Sequence, residues 1–191
     1  MKAHKTILVL LAISLMGFLG NAQEEHEMEG ENHQEQHEEH HRHKHVISLG
    51  IGHAHINTGV ENGEKQWLVL PSWMLDYNFW FTEKWAIGLH SDMIIETFEV
   101  EHEHGSESVI ERENPIALVG ALSFQPIEWL SLVAGGGVEY ETSESFGLVR
   151  FGVEPHWEIH EKWEIFVNIG HDIKFDAYNT WNLSLGIGRG F

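Results

Sequence analysis

Histidine is concentrated in one short stretch near the amino terminus, residues 23–45, where it alternates with glutamate. The histidines of this stretch are His26, His33, His37, His40, His41, His43 and His45. Within that set, His33, His37, His41 and His45 recur every four residues and would share one face if the segment turned helical. Neutral imidazoles beside carboxylates are borderline donors that suit zinc, copper or nickel, and binding could itself order the segment. We therefore predict that this stretch binds divalent transition-metal ions, although we expect no obligatory cofactor.

Two other interpretations of the same stretch stay open. Met28 is its only aliphatic residue, so it cannot bury a core and is predicted to be disordered when free. It could then be an acidic leader that keeps the chain soluble during export, with histidines merely tolerated. It could also respond to pH, because imidazoles gain charge near pH 6.5.

A second group of histidines follows in the body of the chain. His53 and His55 form an H-x-H pair on a predicted strand, which points both rings the same way and offers a two-ligand bite for a transition metal. His102, His104 and His171 are predicted to lie toward the same end of the fold. The competing interpretation is that histidines simply suit an amphipathic rim.

Composition excludes several classes of protein. The chain has no cysteine and a formal net charge of -19, which argues against disulfides, thiolate metal sites and nucleic-acid partners. Its 42% apolar content and eight tryptophans are too rich for a disordered acidic protein. Residues 1–22 match a secretory signal peptide, with Lys2 and Lys5 before an apolar run and a small-residue exit at its end.

The last stretch, residues 178–191, alternates at period two, and Arg189 departs from its apolar face. Trp181, Leu183, Leu185, Ile187 and Phe191 fall on one face, and small or polar residues fall on the other. An apolar outer face with a polar inner one is typical of a membrane β-barrel strand. With Phe191 at its end, this strand resembles the terminal insertion signal of bacterial outer-membrane barrels. The resemblance implies that barrel assembly machinery is a partner during insertion.

Eight strand-like runs can be marked in residues 46–191, at 46–56, 66–81, 85–100, 109–124, 129–141, 146–159, 163–175 and 178–191. An even number places both chain ends on one side, and short turns alternate with longer, more polar connections. The body resembles small outer-membrane barrels of the OmpA and OmpX type. We predict an all-β fold: an eight-stranded antiparallel up-and-down transmembrane β-barrel, after a cleaved signal peptide (1–22) and a disordered tail (23–45). The resemblance implies an outer-membrane location in contact with lipid, with short turns and tail in the periplasm.

Alternation assigns a face to most of the body. Val69, Trp73, Leu89 and Val153 are predicted to touch lipid. The charged side should enclose Asp76, His90, Asp92, Glu96, Arg150, Glu154, His156, Glu158, Asp172 and Lys174, as an ion-paired plug or around a cation. The run at 129–141 has no clear phase, and bulges are expected at Pro71 and Pro155.

Aromatic residues are predicted to form two girdles. One ring, at the short-turn end, comprises Phe81, Trp85, Phe124, Trp129, Trp157, Trp163 and Phe191, and the other comprises Trp67, Tyr140, Phe146, Phe175 and Trp181.

Enzymatic activity is not expected. Known enzymes on this scaffold need a serine, a histidine and an acid together, but His90 and Ser91 are strand neighbours that point apart. Two functions fit the sequence: an outer-membrane barrel that binds or buffers divalent transition metal through its histidine-rich periplasmic tail, or a structural envelope or surface-adhesion barrel with no specific ligand.

Overall fold

The computed structural model describes residues 43–101 and 109–191. The predicted signal peptide, most of the histidine-rich stretch, and His102 and His104 lie outside the described residues. The described part contains ten strands: β1 (His45–Glu61), β2 (Glu64–Trp80), β3 (Trp85–Ile94), β4 (Thr97–Glu101), β5 (Val109–Glu113), β6 (Ile116–Ile127), β7 (Leu130–Tyr140), β8 (Phe146–His160), β9 (Trp163–Lys174) and β10 (Thr180–Gly190).

Eight of these strands, β1–β3 and β6–β10, form a closed antiparallel barrel. Each pairs with its neighbour in chain order, and β10 closes the cylinder against β1 from the pair Val46 and Gly190 to the pair Ile56 and Thr180. The first and last strands therefore start and end at the same rim, where the amide of Phe191 donates to the carbonyl of His45 (3.0 Å). The predicted eight-stranded up-and-down barrel is confirmed.

Period-two alternation decides which side chains face out. Large apolar side chains such as Ile51 (73% exposed) and Leu185 (60%) point outward all round the cylinder, while Asp92 is buried inside it. An apolar belt of this extent is far larger than a soluble monomer exposes, so it faces lipid. The predicted outward direction of Val69, Leu89 and Val153 is confirmed, and Trp73 follows the same phase.

The strand without a clear phase, β7, alternates as regularly as the others. Leu132, Val138 and Tyr140 point outward, whereas Val133 and Glu139 are buried inside. Gly135 and Gly137, which lie between Val133 and Glu139 on the same strand face, also face the interior. A Cβ atom at Gly137 would lie 1.9 Å from the carbonyl oxygen of Leu118, so the close approach of β6 requires glycine there. No helix in residues 43–101 and 109–191 is long and apolar enough to cross a membrane.

Two predicted long strands are each interrupted. The run at 85–100 divides into β3 and β4, and the run at 109–124 divides into β5 and β6 at Asn114, which has a positive φ of 45° before Pro115. Beyond these breaks, β4 and β5 form a separate hairpin that leaves the barrel wall.

The β4–β5 hairpin crosses the mouth of the barrel. It pairs with β1, matching Val100 to Gly59 and Glu99 to Val60. Because β3 lies beside β2 and β6 in the wall, the hairpin can reach β1 only by passing over the opening. The edge it meets is available because β10 stops pairing with β1 at Ile56.

The connection between β1 and β2, at the same end of the barrel as the β4–β5 hairpin, is a tight turn and not the predicted longer loop. Strands β1 and β2 each run for 17 residues and are joined by Asn62 and Gly63, both with positive φ (55° and 80°). Positive φ at both central residues defines a type I′ turn, whose twist matches that of the flanking strands.

The expected bulges at the prolines are not found. Pro71 pairs with His53 without a register shift, and the irregularities lie between Ile56 and Gly59, Phe124 and Ile127, and Glu158 and His160. The carbonyl of Pro71 accepts from the amide of Ile95 (3.0 Å), where β3 leaves the ladder. The missing N–H of Pro71 therefore falls at the end of the pairing, and Pro155 likewise lies where the β8–β9 ladder is interrupted.

Candidate functional sites in the lumen and at the two rims

The centre of the lumen is held by Arg150. Its guanidinium donates to both carboxylate oxygens of Asp172 (2.6 Å each) and to Asp92, so β8 is tied to β9 and β3. Asn182 of β10 also donates to Asp172 (3.2 Å). These side chains are buried, and a bidentate arginine between two carboxylates is a strong, oriented interaction in such a place.

Beside this network lies a pair formed by Asp76 and His90. The Nδ1 atom of His90 is 3.5 Å from Asp76 Oδ2, and its Nε2 is 3.1 Å from the amide oxygen of Asn78. Ser91 faces the opposite side of the strand, and only its backbone amide reaches Asp76 (3.1 Å). His90 and Ser91 therefore do not form a nucleophile and base pair, as their adjacent positions predicted.

A second ionic network closes the upper lumen. Arg112 of β5 is fully buried and donates to Glu139 (2.9 Å), to Glu141 (3.3 Å) and to the carbonyl of Glu144 (2.7 Å). Glu139 also receives the phenol of Tyr178 (2.5 Å) and pairs with Lys174 (3.2 Å). The β4–β5 hairpin is thereby fastened to β7 and to the residues around β9.

Two groups of this upper network, Glu141 and Tyr178, have shifted pKa values. Hydrogen bonds from Ser143, and then from Thr142, lower the pKa of Glu141 to about 2. Burial, and then the neighbouring Glu139 carboxylate, raise the pKa of Tyr178 well above 10. Arg112 also lies over the ring of Phe146, 4.7 Å from its centroid. Glu141 therefore stays ionised down to low pH, and the phenol of Tyr178 keeps its proton to high pH.

Above the ionic network lies an apolar cluster, which we call the outer cap. It consists of Ala54, Ile56, Leu70, Ile94, Phe98, Val100, Phe146, Ala177 and Tyr178, with Leu68 and Ile110 packed against it. Phe98 meets Tyr178 edge-on with ring centroids 5.7 Å apart. The side chains that would line the mouth of an open barrel are thus packed against the hairpin.

Most of the predicted lumen residues are where the alternation placed them. Buried inside are Asp76, His90, Asp92, Arg150, His156, Asp172 and Lys174, and Glu154 is half-buried. Glu96 is exposed, so its placement in the lumen is wrong. Glu158 is also exposed, at the end of β8, but it shares the phase of His156 and pairs with Glu164, so it stays on the inward face. Glu96 lies in the break between β3 and β4, and Glu158 lies beside the irregularity that precedes His160.

The aromatic girdles need one correction. Phe146 is buried (5% exposed) inside the outer cap, because its phase on β8 is that of Leu148 and Arg150. The other members at that end, Trp67, Tyr140, Phe175 and Trp181, are exposed as predicted. At the short-turn end Trp85 packs against Phe124 (4.5 Å), and Arg189 lies over the ring of Trp163 (5.2 Å).

Two histidines of the predicted metal-binding stretch lie among the described residues. His45 belongs to β1, where its Nδ1 is 2.8 Å from the hydroxyl of Tyr77 and its ring packs with those of Phe79 and Phe191. His43 has its Nε2 atom 2.7 Å from the carbonyl oxygen of Glu161. The described residues begin at His43, two residues before β1, at the rim with the short turns.

His53 and His55 share the outward face of β1, as their spacing predicted. His53 pairs across the sheet with Leu183 and Pro71, and His55 pairs with Trp181 and Val69. His171 stacks on Trp181 with ring centroids 4.2 Å apart. Among residues 43–101 and 109–191, no group of three or more histidine or carboxylate side chains could hold a metal ion. Metal binding by His53 and His55 stays a prediction.

The residues that alternation did not single out are those of the upper network. Arg112 and Glu139 fall in the strand-like runs at 109–124 and 129–141, and Tyr178 begins the run at 178–191, but the sequence assigns none of the three to the lumen. The signal available in the sequence was an isolated arginine between Glu111 and Glu113, on the same strand face as the apolar Ile110.

Together, these features define the chain as a small eight-stranded transmembrane β-barrel. Among solved structures, outer membrane protein OprG of Pseudomonas aeruginosa is similar, with a TM-score of 0.52 and 12% identity over 79% of this chain and 97% of that chain. Ail of Yersinia pestis matches with a TM-score of 0.49 and 17% identity over 78% of this chain and 99% of that chain. No protein-family model and no curated protein matches the chain. At these identities the likeness concerns the fold.

Proposed function

We propose that this chain is an outer-membrane protein whose barrel is a filled anchor and whose histidine-rich tail binds divalent transition-metal ions in the periplasm. Zinc, copper and nickel are the ions that its imidazole and carboxylate donors suit. Lipid surrounds the belt, and barrel assembly machinery recognises the closing strand β10 during insertion. Catalysis has no part in this function.

The observation that carries the proposal is where the tail joins the barrel. The chain enters β1 at His45, on the rim that also carries Phe191 and the turn between β8 and β9. In outer-membrane barrels the rim with short turns faces the periplasm. Seven histidines occur in residues 23–45, the stretch of sequence that leads into β1.

Because the lumen is filled, a function at the ends of the barrel is better supported than the conduction of solutes through it. Arg150, Asp92 and Asp172 join three strands across the interior, and the outer cap covers the mouth. An eight-stranded barrel has an interior just wide enough for such side chains.

Metal titration of the exported chain tests the proposal. Residues 23–191 are refolded in detergent micelles and compared with a chain that lacks residues 23–42, which keeps the contacts of His43 and His45. We expect the longer chain to bind zinc, copper or nickel with a higher stoichiometry than the shorter one. Equal stoichiometry in the two chains would refute metal binding by the tail.

A second candidate is a structural or surface-adhesion barrel with no specific ligand. The outer end favours it, since the type I′ turn of β1–β2 and the fastened β4–β5 hairpin present ordered backbone above the belt. Deletion of the gene in the source bacterium distinguishes the two candidates. Envelope leakiness that is independent of metal supply would favour the structural role, whereas a growth defect confined to scarce or excess metal would favour metal binding.

A further inference from the structure

Two hydrogen-bond acceptors face each other inside the lumen, on the neighbouring strands β2 and β3. The Nε2 atom of His90 lies 3.1 Å from the amide oxygen of Asn78, which can only accept, so Nε2 carries the proton of the ring. In the neutral ring Nδ1 therefore keeps its lone pair. This Nδ1 atom lies 3.5 Å from Oδ2 of Asp76, and an ionised carboxylate also only accepts. Without a proton between them, the two atoms would repel each other.

The carboxyl group of Asp76 has too few donors to be stable as an ion. Its Oδ1 atom accepts from the amide of Ser91 (3.1 Å), whereas its Oδ2 atom is buried and has no hydrogen-bond partner. The positive charge of Arg150 reaches Asp76, but this arginine donates to Asp92 and Asp172. A buried carboxylate without a partner is costly, and such a group takes up a proton instead.

The other groups around the pair supply no counter-charge. Asp92 on β3 and Glu154 on β8 add negative charge near Asp76. On the strands that flank the pair, the residues directly opposite are Val119 of β6 and Ser48 of β1, which do not titrate. In the described ranges 43–101 and 109–191, no group of three or more histidine or carboxylate side chains could hold a metal ion. A proton is therefore the cation that fits between the two acceptors.

We propose that Asp76 and His90 form a proton-binding site in the lumen, in which the carboxylic acid of Asp76 donates from Oδ2 to Nδ1 of the neutral His90. The proton lies on the carboxyl group because the positive charge of Arg150 opposes a second proton on the ring. Loss of this proton would leave a buried ion beside two facing acceptors, so the site makes the barrel sensitive to pH. The site is separate from the histidine-rich stretch and does not depend on metal binding there.

The folded and unfolded chains then bind different numbers of protons at this pair. In the unfolded chain an aspartate loses its proton above about pH 4 and a histidine above about pH 6.5, so the pair holds none at higher pH. In the folded chain the pair holds one. Stability should therefore fall as pH rises above about 6.5, by up to about tenfold in the folding equilibrium constant for each pH unit, until the folded site itself loses its proton.

The substitution Asp76→Asn tests this linkage, because the amide keeps the shape of the acid and donates permanently to His90. Residues 23–191 are refolded in phospholipid vesicles and unfolded with urea between about pH 7.5 and pH 9. We expect the folding constant of the wild type to fall about tenfold more per pH unit than that of Asp76→Asn. An equal dependence on pH in the two chains would refute the proton site.

Asp92→Asn is the matched control, since it also neutralises a buried carboxylate of the lumen. Asp92 receives a hydrogen bond from Arg150, so its loss should lower the folding constant at least about tenfold at every pH. Asp92 is ionised in both states over this range, so the variant should keep the pH dependence of the wild type. A pH dependence that both substitutions flatten alike would contradict the assignment to Asp76.

Nuclear magnetic resonance on the wild-type chain in micelles provides a test that requires no variant to fold. At pH 7 the ¹³C shift of the Asp76 carboxyl carbon should be that of a carboxylic acid. The ¹⁵N shifts of the His90 ring should show a proton on Nε2 alone and should not change between pH 5.5 and pH 8. An ionised Asp76, or a His90 ring with protons on both nitrogens, would overturn the proposal.

Discussion

Replacing Arg150 by methionine should destabilise the barrel more than any other single loss of a charge. Arg150 is 5% exposed and donates to Asp92 and Asp172, which are themselves buried. Removing one partner of a buried ion pair costs about 3–5 kcal/mol, because the remaining charge is left uncompensated. Asp172 keeps Asn182 as a donor, whereas Asp92 loses the arginine that neutralises it. We therefore expect Arg150→Met to lower the free energy of unfolding by about 4 kcal/mol.

Equilibrium unfolding by urea in phospholipid vesicles, followed by tryptophan fluorescence, measures this change. Arg189→Met is the matched control: Arg189 is exposed and lies over Trp163 (5.2 Å), and such an interaction contributes only about 0.5–1 kcal/mol. The triple variant Arg150→Met, Asp92→Asn, Asp172→Asn should recover most of the loss, since it removes all three buried charges together. An effect of Arg150→Met no larger than that of Arg189→Met would show that water screens the lumen and would refute the ion-paired interior.

Three further predictions concern the close packing and the upper network. Gly137→Ala should lower the free energy of unfolding by about 1–3 kcal/mol or prevent folding, whereas Gly120→Ala, whose added Cβ has its nearest neighbour at 3.8 Å, should have little effect in the same urea assay. The pKa of Glu141 is lowered to about 2 from an ordinary value of 4.5, so its stabilising contribution is complete above pH 4.5 and is lost as pH falls toward 2. In a profile of stability against pH, measured by urea unfolding, Glu141→Gln should therefore show a smaller loss of stability in acid than the wild type. An unchanged loss in acid would contradict this. Burial raises the pKa of Tyr178 above 10 in the folded chain. The phenol therefore ionises first in the unfolded chain, so stability should decline as pH rises beyond 10. A stability profile of Tyr178→Phe that declines as steeply as that of the wild type would contradict the buried phenol.

The wall of the barrel was predictable because period-two alternation is a local property. Outward residues such as Leu89 and Val153 and inward residues such as Asp92 and Arg150 were assigned from sequence and confirmed. Closure also followed, since the polar and apolar faces of β10 match those of β1. Because lipid surrounds the barrel and polar side chains fill its lumen, the alternation of each strand fits only one orientation.

The outer cap was not predictable in the same way, since it depends on where strands leave the wall. The pair Asn114 and Pro115 was a visible break signal, because the residue before proline is restricted and asparagine tolerates positive φ. What the hairpin does after the break depends on a distant fact, namely that β10 ends beside Ile56 and leaves an edge of β1 unpaired. Local patterns contain no information about that edge.

The histidine-rich stretch shows the opposite limit. Its composition predicts metal chemistry from residue types alone, yet the described contacts divide its last members by role. His45 is packed among aromatic rings, and His43 is oriented by the carbonyl of Glu161. Spacing by four would have placed His45 in the same ladder as His33, His37 and His41, but β1 begins at His45, so that residue is extended.

The interior of the barrel is built in two layers that differ in how they stabilise the protein. The lower layer is ionic and links strands of the wall through Arg150, so its energy depends on excluding water from charges that compensate one another. The upper layer is apolar and lies between the wall and the β4–β5 hairpin, and Arg112 of the hairpin donates to Glu139 of the wall. Because Glu139 also pairs with Lys174 and Tyr178, loss of Arg112 leaves that carboxylate partly compensated. The hairpin can therefore be loosened without dismantling the wall, whereas loss of Arg150 affects three wall strands at once.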